Sequence, residues 1–208
     1  FDRIMENIGA VCDILPITIR VNIDKSNITY LSGLLDCFVE FGFKDKVSIY
    51  VAPVDDVIGS PNALCFSMRE FSGEELKFMD QVIERGLGKV KVPAPNYANC
   101  GAVSMNSYIV DPKGDLYKCW NNVGREAFKV GTLKTGPQFN SNLIRWLSFD
   151  PFLVQECTEC EMLPICMGGC PFSQVMNGDR RCLSTKYNIS DVLRLMHKCN
   201  ASKYKESV

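Results

Sequence analysis

The sequence predicts an α/β fold in its first half, followed by a small cysteine-rich α+β domain. Short strands alternate with amphipathic helices up to residue 95. From Cys100 onward, turn residues and short apolar runs replace that alternation, and eight of the eleven cysteines lie there. We therefore place the two domains at residues 1–95 and 96–208.

The first half is predicted to form parallel βα units. Residues 1–8 have the apolar spacing of an amphipathic helix. Residues 16–24 alternate strictly between apolar and polar side chains, which is typical of a strand with two different faces. The remaining predicted elements are a helix capped by Asn27 and ended by Gly42, a strand at 46–53, a helix opened by a capping box at Ser72 and ended by Gly86, and a strand at 89–94.

The predicted strands carry polar side chains on one face. Arg20 and Asn22 share a face of the first strand, and Ser48 and Tyr50 share a face of the second. Parallel strands covered on both sides are nearly continuously apolar, so this alternation favours a barrel whose lumen holds a polar ligand. An antiparallel sheet with one face in water is the alternative. Because three strands cannot close a barrel, we expect a partial (βα) barrel. The start at Phe1 also leads us to expect a C-terminal fragment of a longer protein.

The second half is predicted to contain a β-hairpin and short helices. The run from Asp111 to Gly114 is a turn sequence between two short apolar runs, and Gly114 suits a positive φ. Cys100 and Cys119 lie near the two ends of this hairpin region. A further strand at 127–133, a helix at 141–152 and a last helix at 189–199 complete the domain.

The composition argues against several classes of protein. The formal net charge is −1, and no apolar stretch approaches the roughly 20 residues of a membrane helix. Neither nucleic acid nor a membrane is therefore an expected partner. Eleven cysteines, an odd number, favour reduced thiols in the cytoplasm over a disulfide scaffold, and we expect no secretion signal. With His197 as the one histidine, thiolate sites for zinc or an iron–sulfur cluster are the expected metal sites.

The cysteines divide into packing residues and candidate ligands. Cys12, Cys37 and Cys199 lie in predicted helices among apolar residues and are expected to pack as small hydrophobic side chains. Cys65 lies in a predicted loop and suits either role. The stretch 157–170 has the spacing C-x2-C-x5-C-x3-C, which is too regular for packing residues alone.

Seven cysteines at turn and loop positions are the candidate metal ligands: Cys100, Cys119, Cys157, Cys160, Cys166, Cys170 and Cys182. One zinc ion or one cubane cluster takes about four thiolates. Seven thiolates are therefore too many for one such site and one too few for two.

The order of these seven residues resembles the SPASM domain of radical S-adenosylmethionine (SAM) enzymes. In that pattern a cysteine, a glycine and a second cysteine precede the quartet, as Cys100, Gly114 and Cys119 do here, and a last cysteine follows it. The resemblance covers residues 96–185 directly. The segments YIVDPKGDLYKCWNNVG and LPICMGGCPF are similar to those of enzymes that modify ribosomally made peptides, including formers of thioether crosslinks. The preceding βα units resemble the later strands of the radical SAM barrel.

The resemblance implies two auxiliary [4Fe–4S] clusters. The ligands of the outer cluster would be Cys157, Cys160, Cys166 and Cys182. Those of the inner cluster, nearer the barrel, would be Cys100, Cys119 and Cys170. Because the inner set has three thiolates, a cysteine of the peptide substrate is expected to take the fourth position, with Cys65 as the alternative ligand. Arg20 and Asn22 are expected to contact SAM in the whole enzyme.

The sequence departs from the family at its catalytic motif. A C-x3-C-x2-C triplet, which in the family holds a third [4Fe–4S] cluster beside SAM, does not occur. We therefore expect this chain to be inactive by itself and to belong to an oxidoreductase that acts on a ribosomally made precursor peptide, with an electron donor or acceptor protein.

Two alternative functions remain open from the sequence. One is a non-catalytic iron–sulfur module for electron transfer or peptide binding. The other is a structural zinc domain, because thiolate quartets bind zinc well and zinc can also substitute for the clusters. An uncovered barrel edge would also suit self-association of the chain.

Overall fold

The computed structural model describes residues 1–55, 64–88, 93–97 and 99–206, with side chains as far as Cys199. The chain divides into two compact units. The first contains Phe1–Pro93 and Tyr187–Val208, and the second contains Ala94–Lys186. The second unit thus stops before most of the last helix, whereas the predicted second domain ran from residue 96 to residue 208.

The first unit is built on two parallel strands, β1 (Ile17–Ile23) and β2 (Val47–Pro53). Its first three helices are α1 (Asp2–Val11), α2 (Leu31–Glu40) and α3 (Met68–Glu84). The strands pair over their whole lengths, from Ile17 opposite Val47 to Ile23 opposite Pro53. The parallel pairing confirms the predicted βα unit, and the antiparallel alternative is wrong for these two strands.

The two faces of this sheet have different surroundings, because side chains alternate along a strand. Ile23, Ile49 and Val51 are buried in one core with Phe38 of α2 and Phe78 of α3. The polar side chains of the opposite face are exposed: Thr18, Arg20, Asn22, Ser48 and Tyr50. The parallel sheet has two strands among the described residues, and no barrel closes there. The predicted strand at 89–94 lies outside the described residues, apart from its last two positions.

The capping box of α3 lies five residues before the predicted one. Ser67 Oγ accepts a hydrogen bond from the backbone N–H of Glu70 (3.2 Å), and the Glu70 carboxylate accepts one from the backbone N–H of Ser67 (2.8 Å). Ser72, the predicted cap, is buried inside the helix, and its hydroxyl donates to the Arg69 carbonyl. The capping pattern S-x-x-E occurs twice, beginning at Ser67 and at Ser72. Because α3 starts at the first of these, Phe71 lies within the helix and packs in the core.

Asn27 does not cap α2 with its side chain, contrary to the prediction. Its carboxamide oxygen accepts from the backbone N–H of Asp24 (3.0 Å), and its nitrogen donates to the Asn22 carbonyl (3.2 Å). These bonds close the turn after β1. A 3-10 turn at Ile28–Tyr30 then leads into α2, and Gly42, at φ +76°, follows its end as predicted.

The second unit contains a four-stranded antiparallel sheet of short strands. They are β3 (Ile109–Val110), β4 (Asp115–Tyr117), β5 (Gly131–Thr132) and β6 (Gly136–Pro137), in that spatial order. The hairpin between β3 and β4 is the predicted one, and Gly114 adopts φ +83° in its turn. The strand predicted at 127–133 is confined to β5.

Four short helices follow this sheet in the second unit. They are α4 (Ser141–Leu147), α5 (Gln155–Thr158), α6 (Leu163–Cys166) and α7 (Pro171–Asn177). The helix predicted at 141–152 ends early, and a 3-10 turn at Pro151–Leu153 follows α4. Asp150 caps that turn by accepting from the Phe152 backbone N–H, so a new element begins there.

The last helix, α8 (Thr185–Glu206), starts four residues before the predicted position. Its Asn188 side chain donates to the Ser72 carbonyl (3.1 Å) and to the Glu75 carboxylate (2.9 Å), both in α3. These bonds tie α8 to the first unit. Among the helices that the structure describes, none has the length and apolar character needed to cross a bilayer.

Candidate metal centre

The four predicted ligands of the outer cluster line a single pocket in the second unit. We call Cys157, Cys160, Cys166 and Cys182 the outer set. Cys157 lies in α5 and is buried, Cys160 follows that helix, and Cys166 is the last residue of α6. Cys182 comes from the segment between α7 and α8. The structure therefore brings a distant thiol to three that are close in sequence.

A pair of glycines allows this close approach of distant backbone. Gly168 and Gly169 both have positive φ, at +84° and +74°. A Cβ on Gly169 would lie 2.3 Å from the carbonyl oxygen of Arg181, the residue before Cys182. Real Cβ atoms essentially never lie so close to a backbone oxygen, so another residue at 169 would displace the Arg181 backbone, and glycine there favours the return of Cys182 to the pocket.

Two cations accompany the outer set. The Arg180 guanidinium donates a hydrogen bond to the sulfur of Cys157, and this bond is the main reason that the pKa of Arg180 is raised. The Lys186 ammonium lies 3.7 Å from the sulfur of Cys182 and donates to it. Both residues line the same pocket. Cations beside sulfur atoms can offset part of the negative charge that metal-bound thiolates carry.

The three predicted ligands of the inner cluster, which we call the inner set, also lie near one another. Cys100 precedes a 3-10 turn at Gly101–Val103, Cys119 precedes another at Trp120–Asn122, and Cys170 precedes α7. Cys119 interacts electrostatically with both other thiols. The side chains of Cys100 and Cys170 are exposed, and that of Cys119 is partly buried.

Burial dominates the acidity of Cys119. It raises the pKa of this thiol from its ordinary 9.0 to about 11. The backbone N–H of Asn121 donates to the sulfur and acts in the opposite direction, while thiolates at Cys170 and Cys100 raise the pKa further. Without a metal, Cys119 is therefore a protonated thiol at neutral pH.

An asparagine that the sequence reasoning missed holds Cys100 in place. Asn99 Nδ2 donates to the carbonyl of Met167 (3.1 Å), and Asn99 Oδ1 accepts from the backbone N–H of Cys100 (2.7 Å). Met167 lies in the loop that leads to Cys170. One side chain therefore connects the segments that carry two of the three inner thiols. Nothing in the sequence pattern distinguishes this asparagine from an ordinary loop residue.

Two buried polar residues on either side of Cys119 were also missed. Asn122 is fully buried, and neither polar atom of its carboxamide has a hydrogen-bond partner among the described residues. Lys118 is 2% exposed and donates to two backbone carbonyls. Buried polar groups in native proteins are nearly always satisfied, so an orphaned carboxamide points to a group that belongs beside it. Cys119 is a sulfur ligand, and Asn122 Nδ2, three residues further along the chain, is a donor of the kind that bonds to cluster sulfurs, so the residues present fit an iron–sulfur cluster.

The cysteines that the structure describes form no disulfide bonds with one another. Within the described part of the chain, no three histidine, cysteine, aspartate or glutamate side chains are positioned to hold a metal ion. Metal binding by the outer set or by the inner set therefore remains a prediction.

The other predicted site residues lie in the first unit. Arg20 Nε donates to Asn22 Oδ1 (3.0 Å) on the exposed face of β1. Cys65 is partly exposed in the segment before α3. Their predicted roles, SAM binding and ligation of the inner cluster, also remain predictions. Cys12 is buried in the core of the first unit, and Cys37 is partly exposed.

The sequence matches no protein-family model, and no curated protein matches it. The fold does have solved counterparts. One structure, described as native anSMEcpe with bound AdoMet and Kp18Cys peptide, matches 95% of this chain and 61% of its own, with a TM-score of 0.58 and 12% sequence identity. A second, native anSMEcpe with bound AdoMet, matches 94% of this chain and 60% of its own, with a TM-score of 0.57 and 11% identity.

The likeness is one of fold. anSMEcpe is an anaerobic sulfatase-maturating enzyme with the radical SAM and SPASM architecture. The chain spans about three fifths of the length of these solved proteins. The predicted architecture, later βα units followed by a SPASM-like domain, therefore has a structural counterpart across nearly the whole chain.

Proposed function

We propose that this chain is part of a radical SAM/SPASM maturase that modifies a ribosomally made peptide, and that it binds two auxiliary [4Fe–4S] clusters. The observation that carries the proposal is the grouping of the seven cysteines. Four line one pocket, and the other three share one electrostatic neighbourhood. The resemblance to the SPASM domain implies the same division, and the fold likeness to anSMEcpe is consistent with it.

The outer set would hold a complete cluster. Its four thiolates satisfy the usual ligand number of a [4Fe–4S] cluster, and Arg180 and Lys186 offset part of their negative charge. When bound, such a cluster supplies one-electron transfer. The protein contributes a fixed ligand geometry and charge compensation around the sulfur atoms.

The inner set would leave one ligand position for the substrate. Its three thiolates are one fewer than a [4Fe–4S] cluster takes, and two of the three side chains are exposed. A cysteine thiolate of the peptide suits the remaining position, since a metal lowers the pKa of a thiol and holds its sulfur in place. A peptide cysteine held in this way makes thioether formation the reaction that we favour. Cys65 is the competing ligand.

The remaining parts of the proposed function concern the whole enzyme. Arg20 and Asn22 would contact SAM from the polar face of β1. Because the sequence contains no C-x3-C-x2-C triplet, we propose that the chain by itself does not cleave SAM. An electron-transfer protein would serve the clusters. A cytoplasmic location and self-association of the chain complete the proposal.

Anaerobic reconstitution with iron and sulfide tests the central claim. We expect about eight iron and eight sulfide per chain, with the broad visible absorption of [4Fe–4S] clusters. Stoichiometric zinc with no uptake of iron and sulfide would instead support the structural zinc domain. Mass analysis of a cysteine-containing peptide incubated with SAM, reductant and the reconstituted chain tests the inactivity of the chain. Any modification of that peptide would contradict it.

A further inference from the structure

Lys118 is a buried cation whose ammonium group has no acidic partner among the residues that the structure describes. It is the last residue before Cys119, and its side chain is 2% exposed. Its ammonium group donates to the carbonyl oxygens of Ser104 (2.5 Å) and Ser107 (2.6 Å) and lies 4.4 Å from the centre of the Tyr108 ring. Among the described residues, no carboxylate forms an ion pair with it. Buried charges are normally paired, so this arrangement calls for an anion nearby.

One thiol of the inner set acts electrostatically on Lys118. Cys100 is the residue whose charge stabilises the Lys118 ammonium, acting against the desolvation that lowers the pKa of Lys118. The carbonyls that Lys118 contacts belong to the loop that follows Cys100 and its 3-10 turn. Lys118 thus joins the Cys100 segment to the strand that ends at Cys119.

We propose that Lys118 is the counter-charge of the inner cluster, fixing Cys100 beside Cys119 and raising the reduction potential of the group that the inner set holds. This inference rests on the proposed function. Reduction adds one negative charge to a cluster, and a nearby cation in a poorly solvated environment stabilises the reduced form more than the oxidised form. Lys118 is a positioning residue in this proposal, because it acts through Cys100 and Cys119.

Substitutions that separate charge from shape test the proposal. Lys118→Met removes the charge and keeps a flexible apolar side chain, whereas Lys118→Arg keeps the charge. Lys113→Met is the matched control, because Lys113 is exposed in the hairpin turn of the same sheet and its loss changes the net charge equally. All are made in a Cys157→Ser/Cys160→Ser background, so that the inner set is the one set that keeps all of its thiols.

The readouts are iron and sulfide content and the midpoint potential from a dithionite titration followed by electron paramagnetic resonance. We expect Lys118→Met to reduce the equilibrium constant for one-electron reduction about tenfold, which corresponds to about 59 mV. In Lys118→Arg, the equilibrium constant for one-electron reduction should stay within about threefold of that of the parent chain. Lys113→Met should not change the midpoint potential.

Five outcomes test the proposal. An unchanged potential in Lys118→Met, or equal shifts in Lys118→Met and Lys118→Arg, would overturn the counter-charge and leave a purely structural lysine. If Lys118→Met takes up no iron, loading of Lys118→Arg supports the proposal, and failure of both variants overturns it. If the unsubstituted chain binds no iron and sulfide, the proposed function itself fails, and the role of Lys118 fails with it.

Discussion

The outer and inner sets use the same side chain in two different settings. The outer set gathers three thiols from a stretch of ten residues and one from a later segment, and all four line one pocket. The inner set takes its three thiols from three separate segments, and two of these thiols are exposed. If both sets bind [4Fe–4S] clusters as we propose, the outer set would supply all four thiolates and the inner set one fewer. A closed site suits electron transfer, and an open one suits binding of an external thiolate.

The largest expected effect comes from the glycine that allows the outer set to close. Gly169→Ala should destabilise the second unit by about 1–2 kcal/mol for the left-handed backbone and by about 1–3 kcal/mol more for the contact with the Arg181 carbonyl. Denaturant unfolding of the metal-free chain and iron content after reconstitution measure these effects.

Gly178 provides the matched control for that substitution. Its φ, at +78°, is nearly the same as that of Gly169, but a Cβ there would meet no atom within 4 Å. Gly178→Ala should therefore lower the free energy of unfolding only by the effect of the left-handed backbone, about 1–2 kcal/mol. It should not affect the iron content. Equal losses of stability in the two variants would show that the close approach at Gly169 is unimportant.

Removing one thiol from each set should separate the two sites. Cys160→Ser is expected to abolish the outer cluster and Cys170→Ser the inner one, so that each variant retains about half of the iron, in clusters with different spectra. Cys37→Ser, in α2 of the first unit, serves as the control and should retain all of it. Loss of all iron in either ligand variant would contradict the division into two independent sets.

Substitution of Asn122 tests whether a bound group lies beside the inner set. In the metal-free chain, Asn122→Leu should increase the free energy of unfolding by about 1–3 kcal/mol, because it removes buried polar atoms that have no partner. After reconstitution this gain should shrink or reverse, because the carboxamide then has sulfur acceptors.

Asn140 is the control for that substitution, because its carboxamide is satisfied. It donates to the Lys129 carbonyl and accepts from the Leu143 backbone N–H at the start of α4. Asn140→Leu should lower the free energy of unfolding by about 1 kcal/mol in both the metal-free and the reconstituted chain. If Asn122→Leu stabilises the metal-free and reconstituted chains equally, its side chain makes no contact with a bound group.

The smallest effect concerns the pH dependence of the metal-free chain. Burial raises the pKa of Cys119 from 9.0 to about 11, so the folded state favours the protonated thiol. This contribution to stability is complete below about pH 9 and is lost as the pH rises towards 11. Other groups titrate in the same window, so the measurement is the difference in unfolding free energy between the parent chain and Cys119→Ala from pH 8 to 11. A difference that does not change with pH would contradict the raised pKa.

Several elements could be predicted from the sequence because a local pattern of residues is enough to determine each of them. The strict alternation of residues 16–24 predicted β1, and the turn from Asp111 to Gly114 predicted the hairpin, since only a few residue types suit such a turn. The cap of α3 could not be assigned in this way. Ser67 and Ser72 both head the same local pattern, and burial of Phe71 in the core selects the first.

By itself, the sequence determined the short-range features: the strand alternation, the hairpin turn and the spacing that keeps Cys157, Cys160 and Cys166 close together. The tertiary structure decided which distant groups join them. Cys182 reaches the outer set because Gly169 admits the Arg181 backbone, and Lys118 and Asn122 are buried beside Cys119 although residues of their types are usually exposed. Spacing along a chain limits only nearby contacts, whereas burial and long-range approach depend on how the whole unit packs.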